Sequence, residues 1–444
     1  MVSSVNNAAA DSNWSKKTAP LMTRWGKDVT PANAHREYPR PQMTRNEWAN
    51  LNGLWNYAVV SKDQAKPQSY QGEILVPFPI ESALSGVMKT VNDKEQIWYE
   101  RTFSVPQDWR EKRMILHFGA CDWDTTVYIN GKQVGSHKGG YTAFSFDITD
   151  ALTQEHEQKI TVSVWDPTSS GTQPRGKQIS NPHGIWYTPT SGIWQTVWLE
   201  PVAQNYIQNL KLTPNIDEKS VSVQIPTYTK GSEGLTWELS VFDSGKKIKD
   251  ATIGYTSIQQ DGDTTTVSAV IPIVGESSSG LKLWSPSSPF LYDLKVKLLK
   301  DGKLIDEVNS YFGMRKIEVK KDKAGINRLM LNNEPLFQFG PLDQGFWPDG
   351  LYTAPSDEAL KYDLEITKKL GFNMSRKHVK VEPDRWYYHC DKMGILVWQD
   401  MPSGDKYIGT KDPDIVRTKA SADQYEAELK EVINEFYNHP CIVM

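Results

Sequence analysis

The sequence predicts a multidomain β plus α/β protein: a jelly-roll β-sandwich, then an immunoglobulin-like β-sandwich, then an incomplete (β/α)8 TIM barrel. Three observations carry this. Short β-patterned runs separated by turns, with no helical periodicity between them, fill residues 46–204 and again 205–316. After about Ile317 apolar strands alternate with amphipathic helices, the grammar of a parallel sheet covered by helices. The 444 residues leave room for several cores.

Residues 1–45 read as an extended lead-in, because Pro31, Pro39 and Pro41 break any helix. Met1–Asp11 is rich in Ser, Asn and Ala and lacks a basic start followed by an apolar core, so it is no secretory signal as written. The compartment stays open: cytoplasmic, or periplasmic or secreted if a leader has been removed.

In residues 46–204 the strands include Ile97–Phe103, Arg113–Phe118, Thr125–Ile129 and Ile160–Val164. Asn130-Gly131 between two such runs is a strong hairpin signal. Tryptophan is unusually abundant, 16 residues with most of them before residue 205. Most read as sandwich core, since each ring brings a large area and an N–H that needs a partner. A few are candidates for platforms that stack on sugar rings.

Residues 205–316 alternate in Leu235–Val241 and Asp293–Leu298, and their length suits a small immunoglobulin-like sandwich. Gly275-Glu276-Ser277-Ser278-Ser279-Gly280 misses the Gly-x-Ser-x-Gly pattern and reads as a loop.

Beyond residue 317, Leu336–Gly340 reads as a buried strand. A helix opens at Ser356, carries Leu360, Leu364 and Leu370 inward and ends at Gly371. Strand Phe372–His378, helix Pro383–Met393 closed by Gly394, and strand Ile395–Gln399 follow. A further helix places Tyr425, Leu429, Val432, Ile433 and Phe436 on one face. Asn438-His439-Pro440 stops it and Cys441–Met444 begins another strand. Residues 336–444 hold less than half of the about 250 residues of a closed eight-fold barrel, so the chain reads as a truncated part of a larger protein.

Composition excludes several functions. Fifty Lys and Arg against 54 Asp and Glu give a net charge of −4 and no polybasic surface, so neither nucleic acid nor an anionic membrane is an expected partner. Cys121, Cys390 and Cys441 are too scattered for a disulfide framework or a cysteine zinc site. Phosphate-loop, dinucleotide and His-Glu-x-x-His motifs are missing, and no cofactor or metal is expected.

Several segments, in this order, resemble glycoside hydrolase family 2, the family of β-galactosidases, β-glucuronidases and β-mannosidases. Ile97–Phe103 is similar to its "WYRRTF" strand. Val127–Lys132 with Gly139-Gly140-Tyr141 and Phe146–Thr149 is similar to its "VNG…GGY…FDIT" series. Ser191–Val197 resembles "SGIW", and Tyr311–Arg315 resembles "FGxR". Gly371–His378 resembles "GxNxxRxxH", Cys390–Asp400 resembles the mannosidase-like "CDxxGIxVWQD", and Asn438–Ile442 resembles "NHPSI". The resemblance covers nearly the whole chain.

It implies retaining hydrolysis of a terminal β-linked sugar by the full-length protein, with carbohydrate as partner and homo-oligomer formation left open. The family's acid/base and nucleophilic Glu both fall beyond Met444, so no catalytic residue is expected in this chain, which alone is expected to be inactive. The resemblance implies substrate-binding roles for Asp343, Gln344 and Trp347 after the first barrel strand, for Arg376 and His378 on the second, and for Trp398 and Asp400 at the end of the third. Asp349 sits in the same loop as Trp347. Trp186 and Trp194 lie where the first domain meets the active site in family members. The "NRHE" motif of galactosidase-like members is missing. For each residue a purely structural part, such as an interior ion pair, a capped turn or core packing, stays open on sequence alone. So does a non-catalytic carbohydrate-binding or scaffold protein; a second Glu beyond an Asn-Glu pair would separate the two.

Overall fold

The computed structural model describes residues 14–231, 233–253, 258–273 and 280–444. Met1–Asp11 and Gly275–Ser279 lie outside them. The protein is mostly β-sheet with few helices.

Between residues 49 and 202 two antiparallel sheets face each other. One orders strands Ala49–Asn50, Val197–Val202, Arg113–Phe118 and Phe144–Asp147. The other orders Gly72–Val76, Gly53–Ser61, Glu95–Ser104, Glu157–Trp165, Asp124–Ile129 and Lys132–Lys138. Period-two alternation decides which side chains meet between them: Thr125, Val127 and Ile129 are buried while Asp124, Thr126 and Tyr128 are not. Asn130 (φ 51°) and Gly131 (φ 85°) form the predicted tight hairpin, with Ile129 paired to Lys132. Trp55 fills the core and gives its indole N–H to the Leu51 carbonyl at 2.9 Å.

A second pair of sheets follows. Strands Tyr206–Ile207, Lys211–Asn215, Ser220–Tyr228, Ile258–Asp261 and Thr264–Pro272 make one; Lys246–Ile253, Leu235–Asp243, Tyr292–Lys300 and Lys303–Phe312 make the other. Leu235, Trp237, Leu239 and Val241 point into the shared core. Trp237 reaches across it to donate to Thr227 Oγ1 at 3.0 Å.

A small three-stranded sheet (Ile317–Lys321, Asn327–Leu331, Glu334–Pro335) leads to three parallel strands, Leu342–Asp343, Met374–Lys377 and Leu396–Gln399. Helices α1 (Asp357–Lys369) and α2 (Asp384–Met393) connect them, and α3 (Lys419–Glu435) follows. Ser356 caps α1 through the Ala359 N–H, and Gly394 closes α2 at φ 71°. Cys441–Met444 runs beside the third strand: Val397 N donates to the Cys441 carbonyl at 2.8 Å and Val443 N to the Val397 carbonyl at 3.0 Å. No helix among the described residues is long and apolar enough to cross a membrane.

Three expectations are corrected. Leu336–Gly340 is neither strand nor buried; Phe337 is 81% exposed, and Asn373 holds this stretch with its side chain, through Phe339 N (2.8 Å) and the Phe337 carbonyl (2.8 Å), and with its backbone N–H on the Phe339 carbonyl (3.0 Å). Leu370 caps α1 and is exposed, because the helix turns its buried face away one residue earlier. Ile433 is exposed as well. Helix α3 buries Ser421, Glu428 and Val432 and meets the first sandwich through carboxylates: Glu428 accepts from Trp123 Nε1 (3.1 Å), Glu431 from Thr142 Oγ1 (2.7 Å) and Glu435 from Ala143 N (2.9 Å).

The described part of the lead-in, residues 14–45, holds no strand and one short helical turn, Trp25–Lys27, and it acts as a clamp. Thr23 gives its N–H (2.9 Å) and hydroxyl (2.7 Å) to Asp349 in the loop after the first parallel strand. Arg40 pairs with Glu200 of the first sandwich at 2.8 Å. Arg45 forks onto Asp306 of the second at 3.1 and 2.9 Å, and reaches Glu200 at 3.4 Å.

Candidate sugar site at the ends of the parallel strands

In the register of the parallel strands, Leu342 stands opposite Arg376, Asp343 opposite Lys377, Arg376 opposite Trp398 and Lys377 opposite Gln399. Strand alternation then sorts the charges. Lys377 points inward and is 1% exposed; its Nζ lies 2.6 Å from Asp343 Oδ2, 2.9 Å from Glu382 Oε1 and 4.3 Å from the Trp386 ring centre. Arg376 and His378 face the other way. Arg376 binds Asp400 fork to fork, and His378 Nε2 lies 4.0 Å from the same carboxylate. The second strand and the exit of the third thus bring Arg376, His378 and Asp400 together.

The electrostatics follow from burial and partners. Burial pushes the Asp343 carboxyl up, but the Lys377 ammonium and the Gly345 N–H outweigh it and leave it below its ordinary value. Burial lowers Lys377, yet Asp343 and Glu382 reverse this and hold it firmly charged. Lys380, enclosed beside Glu382, is brought down to about 8 by burial, against the pull of that carboxylate. His378 is lowered, first by burial and then by Lys177 and Arg376, with Asp400 opposing.

The other predicted residues divide. Asp343 joins the Lys377 pair, and Trp398 donates from Nε1 to Gln338 at 2.5 Å. Gln344 Oε1 is enclosed without a hydrogen-bond partner in the same loop. Trp347 is corrected: it is 8% exposed, packed edge-on to Trp25 at 6.1 Å, so it is core and not an open ring. Trp194 is buried too and donates to the Gly140 carbonyl. Asp349 is wholly buried, and its Oδ2 accepts both bonds from Thr23.

Sequence reasoning missed a long loop of the first sandwich, closed on itself by an isolated parallel bridge between Gln178 and Tyr187, that lies across all three strand ends. Tyr187 N donates to the Lys177 carbonyl (2.9 Å) and Ile179 N to the Tyr187 carbonyl (3.1 Å). The Tyr187 ring stacks on Phe346, after the first strand, at 4.3 Å. Gly176 (φ 60°) presses on the second strand's exit: a Cβ there would stand 2.3 Å from the Val379 carbonyl, so only glycine fits. Arg175 and Gly176 give their N–H groups to the Ser403 carbonyl beyond the third strand, at 2.8 and 2.9 Å. The signal in the sequence was the run Arg175-Gly176-Lys177, two cations around a glycine.

Among the described residues one cluster has metal-ligand spacing, Asp391, His439 and Cys441. Its atoms are already used. Asp391 Oδ2 accepts from His439 Nδ1 (2.6 Å) and Tyr311 (2.8 Å), Oδ1 accepts from Cys441 N (2.9 Å), and His439 Nε2 reaches Asp384 at 3.1 Å. Burial opposes the imidazolium, but the two carboxylates raise His439 to about 9, and burial keeps the Cys441 thiol protonated. With these partners in place the cluster is a buried hydrogen-bond knot. A cavity of about 380 Å³ opens between the lead-in, the first sandwich and the ends of α2 and α3; of the candidate residues only Trp194 lines it, and none of those at the strand ends does.

Comparison with known proteins fits this geometry. Residues 73–200 match the sugar binding domain of glycosyl hydrolases family 2, and residues 205–315 match the model for glycosyl hydrolases family 2 itself, together more than half of the chain. The chain is 28% identical over 367 residues to the beta-galactosidase of Thermoanaerobacter pseudethanolicus, covering 78% of this chain and 44% of that protein. It is 24% identical over 441 residues to the beta-glucuronidase of Paenibacillus borealis, covering 92% and 68%. The solved structure of Bacteroides uniformis beta-glucuronidase 2, covalently bound to cyclophellitol-6-carboxylate aziridine, superposes with a TM-score of 0.71 at 25% identity over 89% of this chain and 46% of that one. The chain therefore spans less than half the length of some of its relatives. By these matches, the chain belongs to glycosyl hydrolase family 2.

Proposed function

We propose that residues 1–444 form the sugar-facing part of a retaining glycosidase that acts on a terminal β-linked sugar. In this reading residues 46–204 are a jelly-roll domain, residues 205–316 an immunoglobulin-like domain and residues 317–444 the first part of a (β/α)8 barrel. The parallel order of Leu342–Asp343, Met374–Lys377 and Leu396–Gln399 around connecting helices supports the barrel assignment.

The observation that carries the reading is the convergence of Arg376, His378 and Asp400 at the carboxyl ends of those strands, where barrel enzymes bind their ligands. The fork of Arg376 holds Asp400 ready to accept from a sugar hydroxyl, and His378 can donate to a neighbouring one. Trp398 stands opposite Arg376 in the register, and Asp343 and Gln344 in the loop after the first strand complete the proposed set. Relatives bear both galactosidase and glucuronidase names.

Retention needs two carboxyl groups about 5–5.5 Å apart, one to protonate the leaving oxygen and one to attack the anomeric carbon. The carboxylates described at this mouth are committed elsewhere: Asp343 to Lys377, Asp400 to Arg376, Glu382 to Lys377 and Lys380. Residues 1–444 alone are accordingly proposed to bind sugar without turning it over. Nitrophenyl β-galactoside and β-glucuronide test this: no nitrophenol release together with saturable sugar binding is expected. Turnover by the pure chain would overturn the inactivity, and failure of every β-glycoside to bind would overturn the site.

A further inference from the structure

We propose that the cavity between the lead-in, the first sandwich and the ends of α2 and α3 is a second binding site, and that it takes a small organic amine bearing hydroxyl groups, an amino sugar or an amino alcohol. Its volume of about 380 Å³ lies in the range usual for small-molecule sites. The site is separate from the mouth at the strand ends and does not depend on the reading of that mouth.

The walls define the ligand. Gln195 lines the cavity and is only 9% exposed, yet among the described residues its side-chain amide has no hydrogen-bond partner; its backbone N alone is engaged, on the Ala120 carbonyl. A nearly buried amide offers a donor and an acceptor that remain to be met, and a hydroxyl meets either. Helix α3 adds Glu431 and Glu435 to the lining, and the first residue of α2 adds Asp384. One oxygen of each is engaged. Glu431 Oε2 accepts from Thr142 Oγ1 at 2.7 Å and lies 3.5 Å from His137, Glu435 Oε2 accepts from Ala143 N at 2.9 Å, and Asp384 Oδ1 lies 3.1 Å from His439 Nε2. The second oxygen of each has no hydrogen-bond partner among the described residues, and Glu435 enters no ion pair there.

The cations in the lining do not offset these carboxylates. Arg40 is paired with Glu200 at 2.8 Å, and Arg385 forks onto Asp357, with one bond at 2.7 Å. His35 and His117 are both lowered, first by burial, and stay uncharged near neutral pH. Burial also pushes the Glu435 carboxyl well up, with Asp384 and Glu431 adding to it and the Ala143 N–H and His439 opposing. An ammonium entering beside Glu435 takes the place of that proton, which leaves for solvent. A neutral polyol would satisfy Gln195 and leave the three carboxyl groups uncompensated. The amine is favoured over it because a charge-assisted hydrogen bond is stronger than a neutral one.

Calorimetric titration of the 444-residue chain, in phosphate buffer free of competing amines, compares glucosamine with glucose and ethanolamine with ethylene glycol. The amine of at least one pair is expected to bind about ten- to a hundredfold more tightly than its neutral counterpart. A gain for glucosamine identifies an amino sugar, and a gain for ethanolamine an amino alcohol, as the source of the ammonium. Glu435→Gln keeps an acceptor for the Ala143 N–H and removes the charge; it is expected to erase the advantage while unfolding stays cooperative. Gln195→Ala is expected to weaken the amine about fivefold. Equal binding of amine and neutral counterpart in both pairs, an advantage that survives Glu435→Gln, or unchanged affinity in Gln195→Ala overturns the proposal. Each of these outcomes leaves the mouth at the strand ends to its own test with β-glycosides.

Discussion

Arg376 and Asp400 stand at the exits of adjacent parallel strands and meet fork to fork, Nε to Oδ1 at 3.0 Å and Nη2 to Oδ2 at 2.8 Å. Two parallel hydrogen bonds fix the plane of the carboxylate as well as its position. Arg376→Ala is expected to weaken β-glycoside binding about tenfold, the loss of one charge-assisted contact. Arg376→Lys should recover little, since an ammonium cannot make the double contact. The pair is solvated, with the arginine side chain 43% exposed, so melting should shift by less than about 1 kcal/mol. Unchanged affinity in the alanine variant would remove Arg376 from the site.

Arg45 is buried between Asp306 and Glu200, one from each sandwich. Removing it leaves the buried Asp306 without its cation and Glu200 with Arg40 alone of its two arginines. Arg45→Ala should cost about 3–5 kcal/mol of stability, read from chemical denaturation. A loss below about 1 kcal/mol would show that the two sandwiches are held without it.

Glu428 carries a pH dependence whose sign is set by burial, which pushes its carboxyl up to about 7 against hydrogen bonds from Gln424 and Trp123. The folded chain then holds this proton more tightly than the unfolded one. Its contribution is full below the ordinary carboxyl pKa and is lost as pH rises through about 7. Between pH 5 and pH 8 the parent should lose more stability than Glu428→Gln, by on the order of 1 kcal/mol. Parallel melting curves for the two proteins would refute this.

His439 works in the same direction over a higher window. Its folded pKa near 9 exceeds the ordinary imidazole value, so its contribution is complete below about 6.5 and disappears as pH rises through about 9. His439→Gln should therefore cost most at pH 6, on the order of 2–3 kcal/mol, and distinctly less at pH 10. Equal losses at both pH values would mean that packing, not charge, ties Asp391 to Asp384.

The strands of both sandwiches were legible because period-two alternation and Asn130-Gly131 are local signals. So were the caps of α1 and α2, at Ser356 and Gly394. Leu336–Gly340 misled because an apolar run says nothing of whether a neighbour covers it, and Phe337 lies open. Helix α3 misled for the opposite reason. Its docking face is made of Glu428, Glu431 and Glu435, which a hydrophobic pattern assigns to solvent; only the indole of Trp123 and the Thr142 hydroxyl waiting opposite make that face an interface. At the mouth, one strand's alternation put Arg376 and His378 together correctly. Trp347 was read as open because its loop was judged without Trp25, more than three hundred residues away. Tyr187 comes from a loop of the first sandwich, and no local pattern reports that it meets Phe346.

The clamp formed by the lead-in also has a consequence for the order of assembly. Thr23 and Asp349 are separated by 326 positions, and Arg45 and Asp306 by 261. During synthesis the first part of the chain to emerge cannot reach its final place until the ribosome has passed the loop that holds Asp349. Contacts of such long range make for slow closure. The segment that holds Thr23 thus waits for a loop made more than three hundred residues later.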